Sequence, residues 1–356
     1  MLKFLKNLFT VDHRSKKYKL VFSILFISYF LILVICLVGI NFISSKDYYM
    51  LTPGEANKVE DVIEIDTIHD AGDVYTLSVF EFRKMSILQY LLAKAEGDVI
   101  VEEDYASFLT DKELTIQGNI MKENSITNSI IVAYKAASKI NSNVVIDEYF
   151  SGAIVHTVWD YADSKIKQGD IITKVDQQIL HSIDNYIDYI DAVLANTTRP
   201  TINVTVLRNG KELDLDLEIA STSSGRKIGI SIYPHHVINS TSPKYTVHKS
   251  ATSGPSGGLM QTIAIYNSLI AGDITKGKRF MGTGTIWVDG SVGPIGGVEQ
   301  KIVTANNYKA DYVFIPTDNY DDAINQYNLI KKPSYPKPIE VSSFDDVLKF
   351  FEGLGD

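Results

Sequence analysis

The sequence predicts one N-terminal transmembrane helix followed by an α+β body, with a second, mainly β domain inserted into that body. Three observations predict it: an uncharged apolar run over residues 20–45, mixed strand and helix patterns over 50–140 and again over 221–356, and a β-rich stretch over 142–220 between them. The 356 residues suffice for two or three domains of ordinary size. A content of 45% hydrophobic and 22% charged residues is the balance of a chain that folds.

The run LVFSILFISYFLILVICLVGINFISS carries no charged side chain. About 20 helical residues cross a hydrocarbon layer of ~30 Å, so residues 20–45 are long enough to span it. A cleavable signal peptide also begins with a basic region, but its apolar core is shorter, about 7–15 residues, and no small-x-small site follows here. Retention as an anchor is therefore expected. Residues 1–19 carry Lys3, Lys6, Arg14, Lys16, Lys17 and Lys19 against Asp12, a charge of +5 that leaves −14 for the rest of a chain whose total is −9. Basic residues flank the cytoplasmic side of a span. This places residues 1–19 in the cytoplasm as a basic segment and everything from about residue 46 outside a single-pass cell membrane protein. Cys36, the only cysteine, lies within the apolar run, so no intrachain disulfide can form.

In the external part, VIEIDTI, DVYTLSV and DVIVEE read as strands, and SILQYLLAKAE and NSIIVAYKAASKI as helices, over 50–140. Over 142–220, GAIVHTVW is a β-branched strand and KIKQGDIITKVDQQIL turns at Gly169-Asp170 into another. Ile183, Tyr186, Ile187, Ile190, Val193 and Leu194 recur at helical spacing, and TINVTVLRNGKELDLDLEI is a hairpin about Asn209-Gly210. Most of these apolar helix positions are expected to face the domain's own core. Strands then alternate with helices over 221–356.

The run SATSGPSGGLMQTIAIYNSLIAGD leads a Gly-Pro-Ser-Gly-Gly turn into a helical pattern. Ser256 therefore falls at or near a helix N-terminus, where unpaired N–H groups favour a developing oxyanion. Serine is equally a common N-cap, so the turn by itself decides little. The second informative run is RFMGTGTIWVDGSVGPIGGVEQKIVTANNYKADYVFIP, in which GPIGG opens a helix that carries Lys301. For lysine to act as a base near neutrality its ammonium must be desolvated, and Ile295, Val298 and Ile302 are suitable neighbours.

The pair GPSGG … GPIGGVEQK resembles the peptidase domain of Lon-type proteases. The resemblance implies Ser256 as nucleophile, Lys301 as general base and Thr283 as the residue that supports the lysine. Gly257 departs from the family pattern, which more often has Ala there. The motif KIKQGDIITKVDQQI, with its strand, helix and hairpin context, resembles a circularly permuted bacterial PDZ domain. A PDZ domain binds extended peptides by strand addition. The resemblance implies a groove between residues 153–158 and the helix 183–194, with backbone around Ser151, Gly152, Ala153 and Ile154 capping a peptide carboxylate. Anchor, PDZ and peptidase in this order resemble the membrane-anchored PDZ–Lon proteases of Gram-positive bacteria, the YlbL/SepM-like group. Residues 221–356 are short for such a peptidase domain, so part of 50–140 is expected to complete it.

The expected activity is that of a serine endopeptidase acting on peptides or membrane-proximal protein segments that the PDZ domain presents. The rival expectation is a non-catalytic PDZ scaffold on an inactive peptidase fold. An acidic body argues against nucleic-acid binding. GDITKGKR, Gly272 to Arg279, ends in Arg where a phosphate loop needs Ser or Thr, and it precedes a strand, so it reads as a turn. Neither ATP nor another cofactor is expected. His235-His236 lacks a metal-ligand partner set, so no metal is expected either, and His248 is a weaker base candidate than Lys301. The oligomeric state is left open, a homo-oligomer included.

Overall fold

The structure, a computed structural model, describes residues 16–42, 48–67, 72–83, 85–95, 100–103, 108–196 and 198–354. Residues 1–15 of the expected cytoplasmic segment and 43–45 of the expected span lie outside the described residues. In chain order the first elements are helix α1 (Lys16–Phe42), strands β1 (Tyr48–Lys58), β2 (Ile63–Ile65) and β3 (Val74–Arg83), helix α2 (Ile87–Ala93), strand β4 (Ile100–Glu103) and helix α3 (Asp111–Ser138). The chain forms two compact units, one of residues 1–51 and 81–105, the other of residues 52–80 and 106–356.

In the first unit α1 contains an apolar stretch, Lys19–Gly39, long enough to cross a membrane. Its apolar side chains from Leu20 to Val38 are exposed all round, as a helix solvated by lipid requires. Helix α2 packs against α1, and β4 pairs antiparallel with the start of β1, from Tyr48↔Glu103 to Leu51↔Ile100.

The second unit contains a mainly β module and an α/β body. The module comprises β5 (Val145–Val158), β6 (Ile171–Val175), β7 (Gln178–Ile179), helix α4 (Ile183–Ala195), β8 (Thr201–Arg208), β9 (Lys211–Glu218), β10 (Ala220–Thr222), β11 (Gly225–Lys227) and β12 (Ile230–Ser242). Its antiparallel sheet has the order β12-β5-β6-β8-β9, and the succession of strand, turn, strand, helix and hairpin is that of a PDZ domain. Asn209 and Gly210 take φ +51° and +75°, the positive pair that a tight hairpin requires. On α4, Tyr186, Ile190 and Val193 enter the module core and Ile187 stays exposed.

One expectation fails here. The peptide groove at Ser151, Gly152, Ala153 and Ile154 needs a strand with a free edge, but β5 is interior to the sheet. Ala153 faces Pro234 on one side and Ile172 on the other, and Ile154 faces Tyr233 and Ile171. Ala153 and Ile154 are paired on both sides and leave no edge for strand addition. The open edge on that side of the sheet belongs to β12.

The body continues with β13 (Tyr245–Val247), α5 (Gly258–Leu269), β14 (Phe280–Gly282), β15 (Thr285–Ile286), β16 (Val292–Gly293), α6 (Val298–Asn307), β17 (Tyr312–Pro316), α7 (Tyr320–Leu329), β18 (Ile339–Val341) and α8 (Phe344–Gly353). Its sheet runs β18-β17-β14-β3-β1, and the first four of these strands are parallel. Strands from both sides of the module in sequence thus share one sheet. Alternation along the strands sends Val74, Phe280 and Phe314 to one face, against α3, α5 and α8. Leu77, Met281, Val313 and Ile315 go to the other face, against α6 and α7.

Candidate active site

Ser256 and Lys301 come from helices on opposite faces of the sheet, and the end of a central strand lies between them. Ser256 precedes the N-cap of α5, Gly257. Lys301 lies on α6, which begins at Gly297 in the left-handed conformation, φ +66°, a backbone state suited to glycine. Thr283 follows β14 directly, and its N–H extends the ladder to the Phe314 carbonyl at 3.2 Å. The three residues therefore meet beyond the carboxyl end of a parallel strand, where open α/β sheets commonly hold their sites.

Thr283 joins the other two. Lys301 Nζ donates to Thr283 Oγ1 at 3.0 Å, and Thr283 Oγ1 donates to the Ser256 carbonyl at 3.0 Å. The same carbonyl accepts the Gly284 N–H at 2.8 Å, so the serine backbone is held at two points. Among the described residues no hydrogen bond links Ser256 Oγ directly to Lys301 Nζ. The threonine hydroxyl has only one proton and gives it to the carbonyl, which leaves its oxygen to accept from the amine. That ties one N–H of the amine and leaves its lone pair and other N–H free to face away from Thr283.

Lys301 is 2% exposed and Thr283 fully buried. Val298 and Ile302, on the same helix as Lys301, are buried in one apolar cluster, with Ile295 packed against it. Burial without a carboxylate partner pushes the Lys301 pKa down to about 7. Desolvation penalises the ammonium and leaves a substantial fraction of neutral amine at neutral pH.

The turn before α5 is held by α3, a helix that lies outside both glycine-rich motifs. Ser125 Oγ donates to the Pro255 carbonyl at 2.8 Å, and Ser129 Oγ shares its one proton between the Ser125 carbonyl at 2.7 Å and the Gly258 carbonyl at 2.9 Å. Asn128 Nδ2 donates to the Ile286 carbonyl at 3.0 Å. Lys122 Nζ reaches the Ser250 carbonyl, the Ser250 hydroxyl and the Thr252 carbonyl at 3.2, 2.5 and 2.8 Å. The signal was present in the sequence as a polar stripe, Asn124, Ser125, Asn128 and Ser129, within an otherwise apolar helix face. Gly258 permits the close approach: a Cβ there would stand 2.6 Å from Ser125 Oγ and 2.8 Å from Ile286 Cγ2. At Gly257 a Cβ would meet Thr76 Cγ2 at 3.1 Å and Gln261 Nε2 at 3.2 Å, so the small residue suits its neighbours.

In the turn itself, the Gly258 N–H bonds the Pro255 carbonyl at 3.2 Å and the Leu259 N–H the Gly284 carbonyl at 3.0 Å. Among the described residues the N–H groups of Ser256 and Gly257 meet no acceptor. They are the donors nearest the serine that a substrate oxygen could use.

The other sequence candidates go elsewhere. His248 pairs with Glu64 at 3.1 Å, His235 with Ser151 at 2.6 Å and His236 with Glu148 at 2.8 Å. In the stretch Gly272–Arg279 the Asp273 carboxylate accepts from Asn267, Thr275 and the Gly277 N–H, which closes a turn. Among the described residues no group of three or more His, Cys, Asp or Glu side chains gathers where it could hold a metal ion.

Comparison with known proteins agrees with this geometry. The family described as the Lon protease (S16) C-terminal proteolytic domain matches residues 219–351. A Lon protease of Campylobacter concisus is 31% identical over 151 residues, 41% of this chain and 18% of that protein. A serine protease Do-like HtrA of Lactobacillus helveticus is 27% identical over 139 residues, 36% of this chain and 32% of its own length. The chain thus spans about a third or less of these curated relatives. Among solved structures, the PDZ domain of an SdrC-like protein from Listeria innocua aligns at 23% identity and a TM-score of 0.21, covering 24% of this chain and 96% of that one. Residues 219–351, which contain the Ser256 turn, Thr283 and the Lys301 helix, are thus similar to a Lon-type proteolytic domain.

Proposed function

We propose that this protein is a membrane-anchored, ATP-independent serine endopeptidase with a Ser256–Lys301 dyad, its peptidase outside the cytoplasm and its PDZ module presenting the substrate. The observation that carries the reading is the hydrogen-bonded chain from a buried lysine, with no carboxylate partner among the described residues, through Thr283 to the Ser256 backbone. An ammonium placed there for structural reasons alone would be costly, since holding the amine neutral near pH 7 corresponds to roughly 4–5 kcal/mol against its charged form.

In this mechanism neutral Lys301 takes the Ser256 hydroxyl proton as Oγ bonds to the substrate carbonyl carbon. The Ser256 and Gly257 N–H groups stabilise the resulting oxyanion. As the C–N bond breaks, the Lys301 ammonium returns the proton to the leaving amine, and an acyl-enzyme remains. Lys301 then deprotonates the water that hydrolyses the ester and returns that proton to Ser256. Thr283 keeps the amine aimed throughout. A peptide would be received along the open edge of β12 rather than on β5. In support, β12 is the strand at the end of that sheet, so one of its edges has no strand partner. No step calls on nucleotide hydrolysis, which restricts substrates to short or unfolded segments.

The test is cleavage of a library of unstructured peptides by the full chain in detergent, comparing wild type with Ser256→Ala, Lys301→Ala, Thr283→Val and Thr283→Ser. The first two should lose cleavage to background. Thr283→Val should lower kcat by about 10- to 100-fold, with partial recovery in Thr283→Ser. Cleavage that persists in Ser256→Ala at the wild-type rate would remove the dyad, and a wild-type protein inactive on every peptide would favour a scaffold.

A further inference from the structure

We propose that α2 and the end of β3 form a second, interfacial membrane contact beside α1, in which an apolar face of α2 lies in the boundary between lipid headgroups and acyl chains. The inference rests on the reading of α1 as a membrane span.

The sequence ILQYLLA of α2 leaves Ile87 exposed at 37% and Leu91 and Leu92 each at 60%. Ile87 and Leu91 are one turn apart on a shared face. Phe82, at the end of β3, is 47% exposed. Four exposed large apolar side chains thus fall within residues 82–92. Scattered single apolar residues on a water-facing surface are ordinary, whereas a cluster of this kind marks a contact. The one exposed polar residue of α2 does not relieve it: Gln89 folds back so that its Oε1 accepts the Ser86 N–H at 2.7 Å, completing a capping box.

What covers this face is indicated by its surroundings. Helix α2 packs on α1 and belongs to the same compact unit, so its apolar face continues that of a helix suited to lipid on every side. The rim is aromatic and carries two cations, of which Arg83 is paired with Glu81. Tyr48 and Tyr90 pack with ring centroids 5.1 Å apart, Lys94 Nζ stands 4.7 Å from the Tyr90 ring, and the Arg83 guanidinium 5.6 Å from that of Tyr49. Tyrosines, and cations that can reach toward headgroups, are the side chains enriched where protein leaves a bilayer. An amphipathic segment held this way buries its apolar side about 5–10 Å deep.

The experiment uses the full chain with Cys36→Ser, reconstituted into phosphatidylcholine–phosphatidylglycerol vesicles. Single cysteines at Leu91→Cys, Leu92→Cys, Leu31→Cys in α1 and Ile179→Cys in the PDZ module carry an environment-sensitive fluorophore. Labels at 91 and 92 should emit to the blue of the label at 179 and be quenched about twofold by spin labels near the headgroup end of the acyl chains. The label at 31 should be quenched most by spin labels deep in the bilayer. If 91 and 92 behave like 179 while 31 is quenched, the interfacial contact is refuted and the span stands. Labels at 91 and 92 that are shielded from water but unquenched by lipid would mean that protein covers the face, which also refutes it. A label at 31 that no lipid quencher reaches would overturn the span and this inference together.

Discussion

Lys301 sets the pH behaviour expected of the site. Its pKa of about 7 in the folded protein makes the neutral, base-competent form grow as pH rises through neutrality. The log of kcat/KM should therefore climb with slope one below about pH 7 and level off above it, measured on a peptide without titratable groups near the scissile bond. The same residue should cost stability. In the unfolded chain the amine holds its proton up to ~10.4, so between about pH 7 and that value the unfolded state binds the extra proton. The contribution of Lys301 is thus most unfavourable below pH 7 and its penalty fades as pH rises through that window. Replacing it by Met keeps the volume and removes the charge. Thr283 still donates to the Ser256 carbonyl, so the turn stays held. Lys301→Met should accordingly be inactive yet more stable, by about 2 kcal/mol at pH 6, with a smaller gain at pH 9, read from denaturant midpoints at the two pH values.

At the scale of elements, α3 decides how well the Ser256 turn is held. It carries a capping box at Thr110 and Glu113, and its interior places Ile126, Ile130, Ala133 and Tyr134 in the same core as Leu259, Met260 and Ile263 of α5. Its polar stripe faces the turn. Lys122 supplies three of the bonds that hold residues 250–252, and burial lowers its own pKa. Lys122→Met should loosen that loop without touching the chemistry. The expected result is a fall in kcat of about tenfold with the pH profile unchanged, since the base is untouched. A shifted profile would mean that Lys122 acts on Lys301 electrostatically instead. The module is bolted to the same helix: Gln117 bonds Thr157 at 2.5 Å, Gln168 bonds the Glu113 carbonyl at 3.2 Å, and Tyr134 bonds the Pro243 carbonyl at 2.8 Å. Acidification should weaken this junction, because burial depresses the His156 pKa to about 4 and folding keeps the ring neutral. That stability is lost as pH falls from the ordinary histidine range toward 4.

Across the whole molecule, the α/β body is assembled from chain on both sides of the module. Strands β1 and β3 and helix α3 precede it, and β14, β17, β18 and four helices follow it. Residues 221–356 expressed alone would lack β3, the neighbour of β14 on one side, with β1 beyond it, and the α3 half of the main core. They should show no cooperative thermal transition and no peptidase activity, whereas the chain from residue 48 onward should show both, checked by circular dichroism and peptide cleavage. Much of this organisation was legible in the sequence. The apolar run, the Asn209-Gly210 hairpin and the α4 periodicity are local patterns, and local patterns survive without knowledge of neighbours. The GPSGG and GPIGG turns likewise carry their backbone requirements in their composition. The peptide groove was misread for the complementary reason. Whether a strand has a free edge depends on partners far away in sequence, and β5 is enclosed by β12, about 80 residues later, as well as by β6. The role of α3 was hidden because a serine or asparagine stripe becomes meaningful only when the carbonyls it meets are known. The sequence by itself determined an apolar helix, a strand-rich module and three residue types suited to a serine–lysine site. Only the tertiary structure decided that helices on opposite faces of one sheet bring Ser256 and Lys301 to Thr283, and that the lysine is dry there. Desolvation is a property of the surrounding packing, and no local motif encodes it.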